Sequence, residues 1–201
     1  MDFNLTQEQT LLRDAVQKFA QRHFAEKALE RAHSDVYPWD VAELMADQGL
    51  LGITIAESDG GQGGTLTDAV IAIQAVAEIC PRSADVIQAG NFGPIRVLAE
   101  YGSNDQKHRY LSKLLAGQSV IAVGMSEPEA GSAVTDLQTS ATPDGDGFRI
   151  NGAKVFTTHG RCRCPAGLCA LWPGARRHRV GADRKRYGWI HHRSTDPVSI
   201  R

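Results

Sequence analysis

The spacing of apolar residues in this 201-residue chain changes near Ser119, and that change limits what the chain can fold into. Before it, the signals are helical. Thr6-x-x-Gln9 is a capping box, followed by Leu12, Val16, Phe19, Ala20 and Phe24 at helical spacing. A second helix is predicted over residues 39–48, stopping at Gly49. A third begins at Thr67 and carries Val70, Ile71, Ile73, Val76 and Ile79, and a fourth covers residues 94–101. Ser103-x-x-Gln106 repeats the capping box ahead of Tyr110, Leu111, Leu114 and Leu115, with Gly117 at the predicted stop. Residues 50–56 form a short apolar connection, and Ser58-Asp59-Gly60-Gly61-Gln62-Gly63-Gly64 interrupts all periodicity. After Ser119, residues 137–142, 148–151 and 154–158 read as short strands. They are joined by Pro143-Asp144-Gly145-Asp146-Gly147 and by the Asn151-Gly152 turn.

The sequence therefore predicts an α+β chain. An all-α helical amino-terminal domain (1–118) leads into a partial antiparallel β region (119–160), and an irregular basic tail (161–201) follows. That tail shows neither helical nor strand periodicity. It holds nine Arg and one Lys against two Asp, a net +8, which leaves −9 on residues 1–160. Cys162, Cys164 and Cys169 crowd into it as well. Arg, Cys, His, Trp, Pro and Gly dominate such a segment when GC-rich coding DNA is read out of frame, so a frameshift near Gly160 is the expected origin. Zinc is not expected from Cys162, Cys164, Cys169 and His178, because C-x-C-x₄-C-x₈-H matches no familiar finger or ribbon spacing. A +8 segment would bind nucleic acid through phosphates at low salt, which follows from charge and predicts no specific nucleic-acid partner.

With 42% apolar and 22% charged residues the composition is that of a soluble protein. No apolar run approaches the roughly 20 residues that span a bilayer. Met1-Asp2-Phe3-Asn4 has neither a basic nor an apolar leader character, so a cytoplasmic location is expected. The Gly60–Gly64 cluster lacks the Gly-Lys-Ser/Thr ending of a phosphate loop and reads as a flexible interhelical loop.

Val123-Gly124-Met125-Ser126-Glu127-Pro128-Glu129-Ala130-Gly131-Ser132 looks like a pocket wall built mainly from backbone. Pro128 stops regular structure, and small residues follow where a planar or phosphorylated ligand can approach. The alternative is a polar surface loop. Downstream, Asn151-Gly152-Ala153-Lys154-Val155-Phe156-Thr157-Thr158-His159-Gly160 reads as turn and strand. Together the two segments resemble the flavin-binding region of the acyl-CoA dehydrogenase family, with its (Thr/Ser)-Glu-Pro-x-Ala-Gly-Ser-Asp motif and its Asn-Gly-x-Lys-x-(Trp/Phe) hairpin. The resemblance runs in order over residues 1–160. Ala133 departs from it, standing where the family has Asp.

The resemblance implies a helical domain, a β-barrel-like middle domain and a carboxy-terminal helical bundle. It also implies bound FAD. Met125 and Ser126 would address the pyrimidine edge of the isoalloxazine, and Ser132 would lie near the pyrophosphate and the acyl-CoA pantetheine. Phe156 would stack on the ring and Thr158 would face N5, with Val123, Gly131 and Thr157 alongside. The alternative for Phe156 is a plain core aromatic. The family reaction is α,β-dehydrogenation of an acyl-CoA thioester, with electrons passed to an electron-transferring flavoprotein, in a homotetramer. Its catalytic base is a Glu of the carboxy-terminal domain, so no catalytic residue is assigned here. Glu127 and Glu129 read as structural, and His159 as a loop residue. The implied function is that of a truncated dehydrogenase, inactive as this chain. A noncatalytic flavin or acyl-CoA binder associating with a paralogue, and oxidase-like chemistry, are the alternatives.

Overall fold

The computed structural model describes residues 4–144, 147–157, 168–172 and 188–192. The chain divides into two compact units, Met1–Gln118 and Ser119–Arg201.

The first unit is helical. Helix α1 (Gln7–Phe24) starts at Thr6, whose hydroxyl accepts the Gln9 N–H at 3.2 Å while Gln9 Oε1 accepts the Thr6 N–H at 3.1 Å. Val16, Ala20 and Phe24, spaced by four, form its buried stripe, and the helix packs on α4. A short α2 (Ala28–Ala32) precedes α3 (Trp39–Asp47), which buries Val41, Ala42 and Met45. Helix α4 (Leu66–Ala77) starts one residue before the expected Thr67. Thr65 and Asp68 form a second capping box, and the Thr65 hydroxyl and amide together hold the Asp68 carboxyl below its usual range. Gln9 Nε2 donates to Asp68 Oδ1 at 3.2 Å, so the starts of α1 and α4 are tied to each other.

Helix α5 (Pro81–Asn91) has no counterpart in the sequence expectations. Pro81 occupies its first turn, where the missing N–H costs nothing. The buried face of α5 includes Ser83, Ala84, Gly90 and Asn91, which carry little apolar signal. Asn91 is fully buried and saturated. It donates to the Leu50 and Ile87 carbonyls, both at 2.8 Å, and accepts the Thr54 N–H at 3.2 Å. Helix α6 (Pro94–Tyr101) matches the expectation, and so does the Ser103–Gln106 capping box. From there α7 (Asn104–Gln106), a π-helical stretch (Lys107–Leu111) and α8 (Ser112–Leu115) run on, with Leu111 and Leu114 buried.

The glycine cluster is not a flexible loop. The N–H groups of Gly61, Gln62, Gly63 and Gly64 donate to Ala56, Gly52, Ile55 and Ile53 carbonyls at 2.7–3.0 Å. A Cβ on Gly61 would overlap the Ile55 backbone, so only glycine fits there. Lys107 Nζ meets Asp59 Oδ2 at 2.8 Å and fastens the same loop to the last helical stretch.

In the second unit, β1 (Ile121–Val123) pairs in parallel with β4 (Leu168–Trp172), which pairs antiparallel with β5 (Gly188–His192). Strands β2 (Ser140–Asp144) and β3 (Gly147–Asn151) form a separate antiparallel pair. Three expectations change. Among the described residues the strands make two small sheets, one of them mixed, rather than a barrel-like antiparallel domain. The expected hairpin across residues 143–147 forms, pairing β2 with β3, but the second turn at Asn151-Gly152 leads to no strand over residues 152–157. Gly152, at φ 151°, ends β3, and the Val155 N–H then turns to the Ser126 carbonyl at 3.0 Å instead of a ladder partner. Finally, the 161–201 segment is not wholly irregular. Leu168–Trp172 and Gly188–His192 are five-residue runs whose order comes from pairing with β1 and with each other, which five residues cannot announce by period.

Candidate functional site

The loop after β1 is shaped around one carboxylate. Glu127 and Ala130 exchange backbone hydrogen bonds (Glu127 N–H to Ala130 O at 2.8 Å, Ala130 N–H to Glu127 O at 3.2 Å), closing a turn with exposed Pro128 and Glu129 at its centre. The Glu127 side chain is buried beneath it. It accepts the Gln138 N–H at 2.7 Å, the Thr139 N–H at 2.9 Å, the Thr139 hydroxyl and Lys154 Nζ at 3.0 Å. The Thr139 hydroxyl, then the Gln138 amide, the Lys154 ammonium and the Thr139 amide, hold its carboxyl down to about 2 against the opposing effect of burial. A group so ionised and so fully occupied is structural rather than a proton acceptor in catalysis.

Residues 152–157 lie against this loop. Lys154 Nζ also reaches the Met125 carbonyl at 2.9 Å. Gly124 is buried, and a Cβ there would stand 3.3 Å from both Lys154 Cγ and Thr157 Oγ1, so glycine permits the close approach. Sequence spacing alone did not reveal that Glu127, Thr139 and Lys154 meet. The Asn-Gly turn that drew attention to Lys154 suggested a strand partner instead.

The cofactor candidates fall into three groups. Val123, Ser126 and Thr157 are partly exposed beside this clamp. Met125 and Phe156 project more, at 46% and 91% exposure. Phe156 is thus no core aromatic, and it carries a left-handed φ of 57°, which costs a bulky residue on the order of 1–3 kcal/mol. Gly131 and Ser132 form an exposed corner beyond the turn. A Cβ on Gly131 would meet nothing within 4 Å, and among the described residues the Ser132 hydroxyl has no partner. Ala133 leads directly into a 3₁₀ turn, Val134–Asp136. Thr158 and His159 lie outside the described residues, as do Cys162, Cys164 and His178. Among the described residues no three His, Cys, Asp or Glu side chains converge on a possible metal site, and no helix is long and apolar enough to cross a membrane.

Residues 6–118 match the family model described as the acyl-CoA dehydrogenase N-terminal domain. A short-chain-specific acyl-CoA dehydrogenase of Clostridium acetobutylicum is 34% identical over 160 residues, 80% of this chain and 42% of that protein. A 3-sulfinopropanoyl-CoA desulfinase of Variovorax paradoxus is 36% identical over 158 residues, 79% of this chain and 39% of that protein. Among solved structures, the FAD complex of PigA superposes with a TM-score of 0.75 at 24% identity, covering 86% of this chain and 44% of that one, which is a likeness of fold. The chain spans about two fifths of the length of the curated relatives it matches. The matched model covers more than half of the chain, and on that ground the chain belongs to the acyl-CoA dehydrogenase family.

Proposed function

We propose that this chain carries one wall of the flavin site of an FAD-dependent enzyme acting on acyl-CoA thioesters. The observation that carries this reading is the Phe156 ring, held exposed in a strained backbone beside a loop whose shape is fixed from within. An exposed aromatic face beside the Ser126 hydroxyl, which donates to nothing among the described residues, suits a planar heterocycle with an apolar surface and an acceptor edge.

The residues fit FAD in kind. Phe156 would stack on the ring system, Met125 would cover it, and Ser126 would donate to its pyrimidine edge, with Val123 and Thr157 adjoining. Gly131 and Ser132 leave room for a phosphate-bearing tail, and Ser132 would also meet the pantetheine of the thioester. When bound, FAD supplies the hydride acceptor for α,β-dehydrogenation. The chain's own residues bind it, orient it and exclude water from its face. The carboxylate that removes the α-proton is expected outside the span that resembles the family here, so residues 1–201 alone should bind FAD without turning over acyl-CoA. Electrons would pass onward to an electron-transferring flavoprotein.

The thioester class is supported by the names of the relatives, which share only the CoA ester. One relative is short-chain specific and another acts on 3-sulfinopropanoyl-CoA. Titrating the purified 201-residue protein with FAD tests the reading. Saturable binding with quenched flavin fluorescence is expected, weakened about tenfold in Phe156→Ala for one lost aromatic stack. No binding by the wild-type chain overturns it.

A further inference from the structure

Two successive carbonyls of the 123–130 loop are aimed by one later segment. The Met125 carbonyl accepts Lys154 Nζ at 2.9 Å, and the Ser126 carbonyl accepts the Val155 N–H at 3.0 Å. In a trans peptide the C=O and the N–H that follows it point in opposite directions. Holding the Met125 carbonyl toward Lys154 therefore turns the Ser126 N–H to the other side. Among the described residues that N–H and the Ser126 hydroxyl donate to nothing.

Lys154 does not hold this peptide by chance of rotamer. Its ammonium is anchored on Glu127 Oε1 at 3.0 Å, and the two side chains are only 16% and 6% exposed, so water competes weakly for either. Glu127 is fixed in turn by the Gln138 and Thr139 amides and the Thr139 hydroxyl. A line of contacts thus runs from residues 138–139 through Glu127 and Lys154 to the Met125–Ser126 peptide.

We propose that Glu127 and Lys154 are positioning residues that set this peptide so that the Ser126 N–H faces an acceptor edge of the bound flavin. The proposal rests on the flavin reading above. It assigns to Glu127 and Lys154 no proton transfer and no contact with substrate. Their work is to preorganise a donor before the ligand arrives, so that binding does not have to order it.

The test uses the full 201-residue chain with Lys154→Met, which keeps the stem and removes the ammonium, and Lys154→Arg, which keeps a cation. Amide exchange is followed over residues 123–130 and at Val155 without ligand, and FAD is then titrated by absorbance. In Lys154→Met, exchange at these positions should quicken about tenfold and the FAD Kd should rise about tenfold, the scale of one charge-assisted hydrogen bond. The visible band of the FAD that does bind should also shift, and Lys154→Arg should restore most of each effect. Helical ellipticity should be unchanged in both variants. A residue that only holds the fold together would weaken binding without moving that band. Exchange and Kd both within about twofold of wild type would overturn the proposal, since the scale expected is tenfold. Quickened exchange together with no FAD binding by the wild-type chain would overturn the flavin reading and leave the clamp itself standing.

Discussion

In the helical unit the fully buried side chains include Phe24, Met45, Ile87 and Leu98, whose burial is non-directional. Among the described residues between Ser119 and Thr157, the best-connected buried group is instead the Glu127 carboxylate, with four donors around it. Among the described residues there, the buried apolar side chains are Val120, Ile121, Ala122, Ala130 and Leu137. Hydrocarbon cores tolerate small displacements at graded cost, whereas a carboxylate ringed by donors has a narrow optimum. The scaffold is thus built to be robust, and the candidate ligand wall is built to be specific in shape.

The comparison can be broken first at the core. Phe24→Ala removes a ring buried at the end of α1 and should lower the stability of the helical unit by about 3–5 kcal/mol. Thermal unfolding followed at 222 nm measures it, and a loss below about 1 kcal/mol would mean that this unit is not held by its core.

At the glycine loop, Gly61→Val forces a side chain into the Ile55 backbone, with an expected cost of about 1–3 kcal/mol. Denaturant unfolding gives the value, and a neutral variant would show that the loop can move away from Ile55.

An intermediate effect separates the two regions by pH. The folded-state carboxyl of Glu127 sits at about 2, below its ordinary value of 4.5, so the stability it contributes is present above pH 4.5 and is lost as pH falls toward 2. Amide protection at Gln138 and Thr139, corrected for intrinsic exchange, should fall across that window in the wild type and be flat in Glu127→Gln. Identical profiles in the two proteins would remove Glu127 from the centre of the wall.

The smallest effect expected is at the cap of α4. Thr65→Ala should cost about 1 kcal/mol, read as a shift in the denaturation midpoint of the helical unit alone. A change in exchange at residues 123–130 would show that the two regions are not independently held.

Much of the helical unit was legible because its signals are local. The Thr6–Gln9 and Ser103–Gln106 boxes and the Gly49 and Gly117 stops each act within one turn. Helix α5 escaped notice because its proline sits at N1 and its inner face is partly Ser, Ala, Gly and Asn, chosen for close approach rather than for hydrophobicity. The Asn151-Gly152 hairpin failed for the opposite reason. Its local signal is strong, but the Ser126 carbonyl and the Lys154 contacts, some 29 residues distant along the chain, draw the segment away from β3. The residue types of the candidate site were readable from its two motifs. The clamp that shapes them was not, since Glu127 and Lys154 are 27 positions apart and nothing in either motif names the other.

The hydrogen bond between Gln9 and Asp68 joins two helix starts 59 positions apart, and α1 buries its stripe against α4 alone among the larger helix contacts. An 18-residue amphipathic helix is marginal in water until its partner exists. During synthesis at about 5–20 residues per second, the stretch from Phe24 to Asp68 takes about 2–9 s, and α1 waits that long for the α4 start to be made. For that interval Val16 and Phe24 face solvent or a chaperone, and α1 becomes secure only once α4 has been made.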